Sequence, residues 1–100
     1  MNPKAFKEWL YNKGIYTNEK LIRDCVSRAH RVERAFQATR DNFSFENEFS
    51  KDRGAEIIKL ISRRGIEIKE PVDLPLGTNQ MDTISCATKK YFMYLSDIAK

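Results

Sequence analysis

The chain has 100 residues, with 18 Lys and Arg against 14 Asp and Glu and a formal net charge of +4 at pH 7. That length suits one domain and excludes a multidomain enzyme, because a second core of comparable size would lack the residues to close. With 41% hydrophobic and 11% aromatic residues, four Gly and three Pro, the composition excludes a disordered or collagen-like chain, and no apolar run approaches the roughly 20 residues of a membrane-spanning helix. Behind Met1-Asn2-Pro3-Lys4 there is no apolar stretch of signal-peptide type, so a cytoplasmic protein with no membrane partner is expected. Cys25 and Cys86 lie far apart, and neither has a second cysteine or a histidine at metal-ligand spacing. Both are expected as free thiols, with no metal and no other cofactor.

Asn2 reads as a helix cap and Pro3 as a first helical residue, where its missing N–H costs nothing. The spacing predicts a helix over 3–13, with Phe6, Trp9 and Leu10 on its apolar side and Gly14 ending it. Thr17 or Asn18 can cap a second helix over 18–37. Its Leu21, Ile22, Cys25, Val26, Ala29, Val32 and Phe36 recur at threes and fours and fall within an arc of about 140°. Diametrically opposite, Lys20, Arg23, Ser27, Arg31 and Arg34 lie within about 80° of one another, which draws a basic ridge along the helix.

From Arg40 to Ser50 the chain is polar and punctuated, and it reads as a loop, with room for one helical turn, held to the core by Phe43, Phe45 and Phe49. A third helix fits 51–64, with Ile57, Ile58, Leu60 and Ile61 inward, Gly54 weakening its first turn, Arg63-Arg64 at its negative end and Gly65 as its stop. Residues 66–77, with Pro71 and Pro75, read as an extended connection without a strand partner. A last helix over 79–98, capped by Thr78 or Asn79, turns Met81, Ile84, Thr88, Tyr91, Phe92, Leu95 and Ile98 inward. Its outward side carries Asp82, Cys86, Lys89, Lys90, Met93 and Ser96. The expected fold class is all-α, a small bundle of four helices with short connections.

Autonomous catalysis is not expected. The single histidine, His30, stands among Arg28, Arg31 and Arg34 with only Glu33 as a neighbouring carboxylate, and no phosphate loop, carboxylate pair or nucleophile beside a base is present. A basic stripe opposite a core stripe is ordinarily just a solvated face. Two features of this one favour a polyanion. Its members are mostly arginines, which grip phosphate with paired hydrogen bonds, and the helix's interior acids, Asp24 and Glu33, lie off the line of Arg23, Ser27, Arg31 and Arg34. Lys89 and Lys90 on the last helix are further candidates for phosphate. Outward-facing Cys86 and Met93 support a second reading, a helical module that contacts another protein, with the ridge as plain surface. RNA is a third, although no aromatic platform stands among the basic residues.

The runs Phe6-Lys7-Glu8-Trp9-Leu10, Gly14-Ile15-Tyr16-Thr17, and Leu21-Ile22 through Val26-Ser27-Arg28 to Val32-Glu33-Arg34-Ala35-Phe36 resemble the N-terminal core-binding domain of tyrosine recombinases, the phage integrase type. The tail Lys90-Tyr91-Phe92-Met93-Tyr94-Leu95 is similar to that domain's last helix. Together these stretches cover about half of the chain. The resemblance implies a SAM-like bundle of four helices that grips double-stranded DNA with its second and fourth helices. Here those would present Lys20, Arg23, Ser27, Arg31 and Arg34 with Lys89 and Lys90, and the partner beyond DNA would be a catalytic domain or another protomer. The family's catalytic arginines, histidine and tyrosine have no counterpart in these residues, and 40–77 is longer and more irregular than the family pattern. Either an excised domain or a stand-alone relative that binds without cutting fits the resemblance.

Overall fold

Asn2 caps the first helix through its Oδ1, which accepts from the Ala5 N–H at 3.1 Å, and Asn18 caps the second, accepting from the Lys20 N–H at 2.8 Å. From these starts the computed structural model, which describes all of residues 1–100, runs as five α-helices and one 3-10 turn with no strand. They are α1 (Pro3–Asn12), α2 (Glu19–Gln37), α3 (Phe45–Asp52), α4 (Ala55–Ile61), the 3-10 turn Arg63–Gly65, and α5 (Gln80–Ile98). The two 19-residue helices, α2 and α5, form the main pair; α1 packs on both, while α3 and α4 lie against α5. No helix is long and apolar enough to cross a membrane.

The core is built on aromatic contact. Tyr91 meets Phe6 edge-on at 4.9 Å between centroids and Phe45 at 5.4 Å, and Phe45 meets Phe92 at 5.2 Å. Such pairs add about 1 kcal/mol each beyond the area they bury. Ala29, Val32 and Phe36 of α2 and Met81, Ile84 and Leu95 of α5 are buried in the same core. The apolar stripes fade at their ends, where Leu21 and Ile98, both expected inward, are 46% and 59% exposed.

The third helix departs most from expectation. In place of one helix over 51–64, Ser44 Oγ accepts from the Asn47 N–H at 3.0 Å and starts α3 six residues before Lys51, on the buried Phe45. The chain then reverses through two left-handed residues, Arg53 (φ 60°) and Gly54 (φ 82°), before α4 begins. Arg63 and Arg64 lie past the end of α4, again with positive φ, and Arg64 pairs with Asp82 at 3.3 Å rather than lining a helix terminus. The bundle therefore has five helices. Neither Thr78 nor Asn79 caps α5 with its side chain; Thr78 Oγ1 donates instead to the Pro75 carbonyl.

Glu33, which lies off the line of the basic ridge, is 3% exposed. One of its oxygens accepts from the Phe45 N–H and from the Met1 ammonium, both at 3.0 Å. That ammonium also meets Glu46 Oε1 at 2.8 Å, Glu46 accepts from the Tyr91 hydroxyl, and the Asn2 N–H donates to that hydroxyl at 2.8 Å. Burial, reinforced by Glu46, holds the Tyr91 phenol far above its ordinary range.

The 66–77 connection is anchored by Glu70, whose carboxylate accepts from Arg40 Nη2 at 2.7 Å, from Arg40 Nε at 3.1 Å and from Thr39 Oγ1 at 2.6 Å. The Arg40 hydrogen bonds hold the Glu70 carboxyl below its ordinary value of 4.5, against a smaller opposing push from burial. A lowered folded value means stability that is present above about pH 4.5 and lost as pH falls through the folded value. The difference in urea midpoint between the wild type and Glu70→Gln should therefore shrink by the equivalent of about 1 kcal/mol between pH 6 and pH 3. An unchanged difference across that window would show that the anchor carries no net stability.

Candidate nucleic-acid interface

Because Ile22, Cys25, Ala29, Val32 and Phe36 turn into the core, the helical repeat forces Arg23, Ser27, Arg31 and Arg34 outward. All four are exposed. Lys20 Nζ lies 3.8 Å from Asp24, an open pair, so it is the one partly neutralised cation of the ridge. Arg23, Arg31 and Arg34 form no ion pair.

Three surface grooves meet at Ser27. The largest, about 470 Å³, carries His30, Arg31 and Arg34 with Asp73 on the facing connection. A second, about 430 Å³, lies between α1 and α2 and is lined by Lys4, Lys7, Arg23 and His30. A third, about 350 Å³, runs between α2 and the start of α5 and holds Arg28, Arg31, Gln80 and Thr83. Asp73 is the only carboxylate in any of them. The third groove also borders the first turn of α5, which has no side-chain cap.

The cationic face is thus broader than the ridge. Lys4 and Lys7 of α1, and Arg28 of α2, join it. In the sequence Lys4 and Lys7 are visible as a pair three apart on the first helix, but nothing local says that α1 lies alongside α2. His30 lies where two of the grooves adjoin, and Glu33, its neighbouring carboxylate in the chain, is turned into the core.

Lys89 and Lys90 stand elsewhere, and neither lines a groove at Ser27. Lys89 borders a groove with Phe49, Arg53 and Ile58. Lys90 is half-buried, donates to Cys86 Sγ at 2.8 Å and sits 5.6 Å from the Tyr16 ring centre. Burial disfavours its charge, yet Cys86 and Tyr16 together hold its ammonium above the ordinary range. Cys86 and Met93 are exposed. Both cysteines are free, and burial pushes the Cys25 thiol up to about 11, which leaves it unreactive at neutral pH. No group of three His, Cys, Asp or Glu residues is placed to hold a metal ion.

The chain matches no protein-family model, no curated protein and no solved structure.

Proposed function

We propose that this chain is a duplex-DNA-binding module that lays α2 along the phosphate backbone and performs no chemistry itself. The observation that carries the reading is the meeting of three grooves at Ser27, lined by cations from α1 and α2 with Asp73 as their one carboxylate. Arginines at this spacing repel one another by a few tenths of a kcal/mol per pair, which a polyanion relieves. Arg23 to Arg34 rises about 16 Å along the helix, the axial length of about five base-pair steps of a duplex. Ser27, at the centre, supplies a neutral hydrogen bond between the flanking charges. No Phe, Tyr or Trp lines these grooves, so the row of large aromatic rings on which single strands stack is missing and a duplex is favoured. The resemblance to tyrosine-recombinase core-binding domains supports the same reading. In it the chain is a SAM-like clamp, cytoplasmic, working beside a catalytic domain or a second protomer. The buried Tyr91, hydrogen-bonded to Glu46, fits a part that grips rather than cuts.

Titration of a fluorescent duplex across salt concentrations tests this. With four to six phosphates neutralised, log affinity should fall against log salt with a slope of about −4 to −5, and Arg31→Ala should remove about one unit of it. Lys7→Ala should lower the slope as well, because α1 contributes to the face. Absence of duplex binding at about 50 mM salt, where non-specific phosphate contacts are strong, would refute the reading.

A further inference from the structure

The ridge leaves one other surface unexplained. Met93 stands 57% exposed on α5, and grooves of about 430 and 420 Å³ run on its two sides, with Met93 and Ser96 common to both. Trp9 and Ile15 line the first; Phe49, Ile58 and Phe92 line the second. Four of these five, all but Phe92, are only half-buried, so each keeps a face open to water. Neither groove shares a residue with the three at Ser27.

The rim around this apolar floor is cationic. Arg53 and Lys89 border the second groove and form no ion pair, and Lys13 and Lys100 border the first. Asp97 is the only carboxylate present; it takes Lys13 at 3.2 Å, Lys100 at 3.7 Å and the Trp9 indole N–H at 2.8 Å. Two grooves flanking one projecting thioether are the shape that receives rows of side chains from a crossing helix, and methionine adapts its rotamer to what it meets. Lys89 to Lys100 rises about 16 Å, or about three turns, enough for anchors at i, i+3 or i+4, and i+7.

We propose that the Met93 face docks an acidic amphipathic helix of a partner protein, its apolar row in the two grooves and its carboxylates against Arg53, Lys89, Lys13 and Lys100. Charge complementarity selects this occupant. A second copy of the chain brings a net charge of +4 of its own, and a nucleic acid would leave the apolar floor beneath phosphate. The inference is independent of the duplex-binding reading, since the two surfaces are separate.

The test uses a fluorescein-labelled peptide of about 18 residues, with leucine at i, i+3, i+4 and i+7 and glutamate at the remaining positions, and a counterpart with lysine for glutamate. The glutamate peptide should bind with Kd on the order of 10 μM, and the lysine peptide should not bind. Met93→Asp, at an exposed position where circular dichroism should show the helices intact, should weaken binding about tenfold or more, with duplex affinity unchanged. The double variant Arg53→Ala, Lys89→Ala should weaken it about fivefold. Equal binding of the two peptides, no binding of the glutamate peptide below about 1 mM, or indifference to both variants would overturn the proposal. So would phosphatidylserine vesicles that sediment the wild type and not Met93→Asp, because the face would then serve a membrane.

Discussion

Gly54→Ala should lower the unfolding free energy by about 3 kcal/mol and the melting temperature by about 15 °C, the largest loss expected from removing no interaction at all. Two costs combine. Gly54 sits at φ 82°, a left-handed conformation that L side chains adopt at a cost of about 1 kcal/mol. A Cβ there would also stand 2.5 Å from two ring carbons of Phe92, which is 3% exposed and packed against Phe45. The ring would have to move within a filled core. Gly14 provides the control, because it too has positive φ, at 67°, but nothing lies within 4 Å of its added Cβ. Thermal or urea melts of the two alanine variants separate backbone strain from overlap. Near-equal losses would show that the Phe92 ring rotates away freely and that the close approach of the α3–α4 reversal to α5 is not what defines the turn.

Glu33→Ala should cost about 3 kcal/mol, because it leaves the Phe45 N–H without its acceptor and removes one of two carboxylates from the Met1 ammonium. Glu33→Gln keeps an acceptor and should cost roughly half as much. The sign of the pH dependence follows from the amine. Burial works against its charge, but hydrogen bonds to Glu46 and Glu33 and their charges raise it above its ordinary value of 8.0. A raised folded value stabilises fully below pH 8 and ceases to do so as pH rises through it. Alkaline loss of stability should therefore be smaller in Glu33→Ala than in the wild type. Urea titrations at pH 7 and pH 10 would measure it, and an identical alkaline loss in both would show that Glu33 does not hold the amine. The consequence reaches the candidate interface, since Glu33 lies between Arg31 and Arg34 in the chain and ties their helix to α3 and to the chain start. Loosening α2 would blur the spacing of its exposed arginines.

Much of this is legible in the residues. α2 follows from seven apolar positions at threes and fours, and its bounds differ from expectation by one residue. The outward direction of Arg23, Ser27, Arg31 and Arg34 follows from the same repeat, because a side chain opposite a core stripe has nowhere else to point. Phe43 and Phe45 hold their segment to the core as their apolarity requires. The α3–α4 reversal is not legible. Periodicity records which face is apolar, and Arg53 in a left-handed conformation contradicts local preference; the adjoining Gly54 admits the Phe92 ring, and that contact lies some forty positions along the chain.

Glu33 and the lysines mark the same boundary. At 100° per residue Glu33 falls inside the apolar arc of α2, between Ile22 and Val26, so its inward direction is written in the helical repeat, and what the fold adds is the Phe45 N–H and the Met1 ammonium that make its burial favourable. Lys4 and Lys7 enter the cationic face, while Lys89 and Lys90 stand away from it, through the docking of α1 and α5 on α2. The sequence by itself determined an all-α chain, most helix limits and the basic ridge, because these depend on a repeat of 3.6 residues that is written locally. The tertiary structure alone decided the fifth helix, the partners of the buried carboxylate and the membership of the face, because these depend on contacts between segments whose closeness no local repeat encodes.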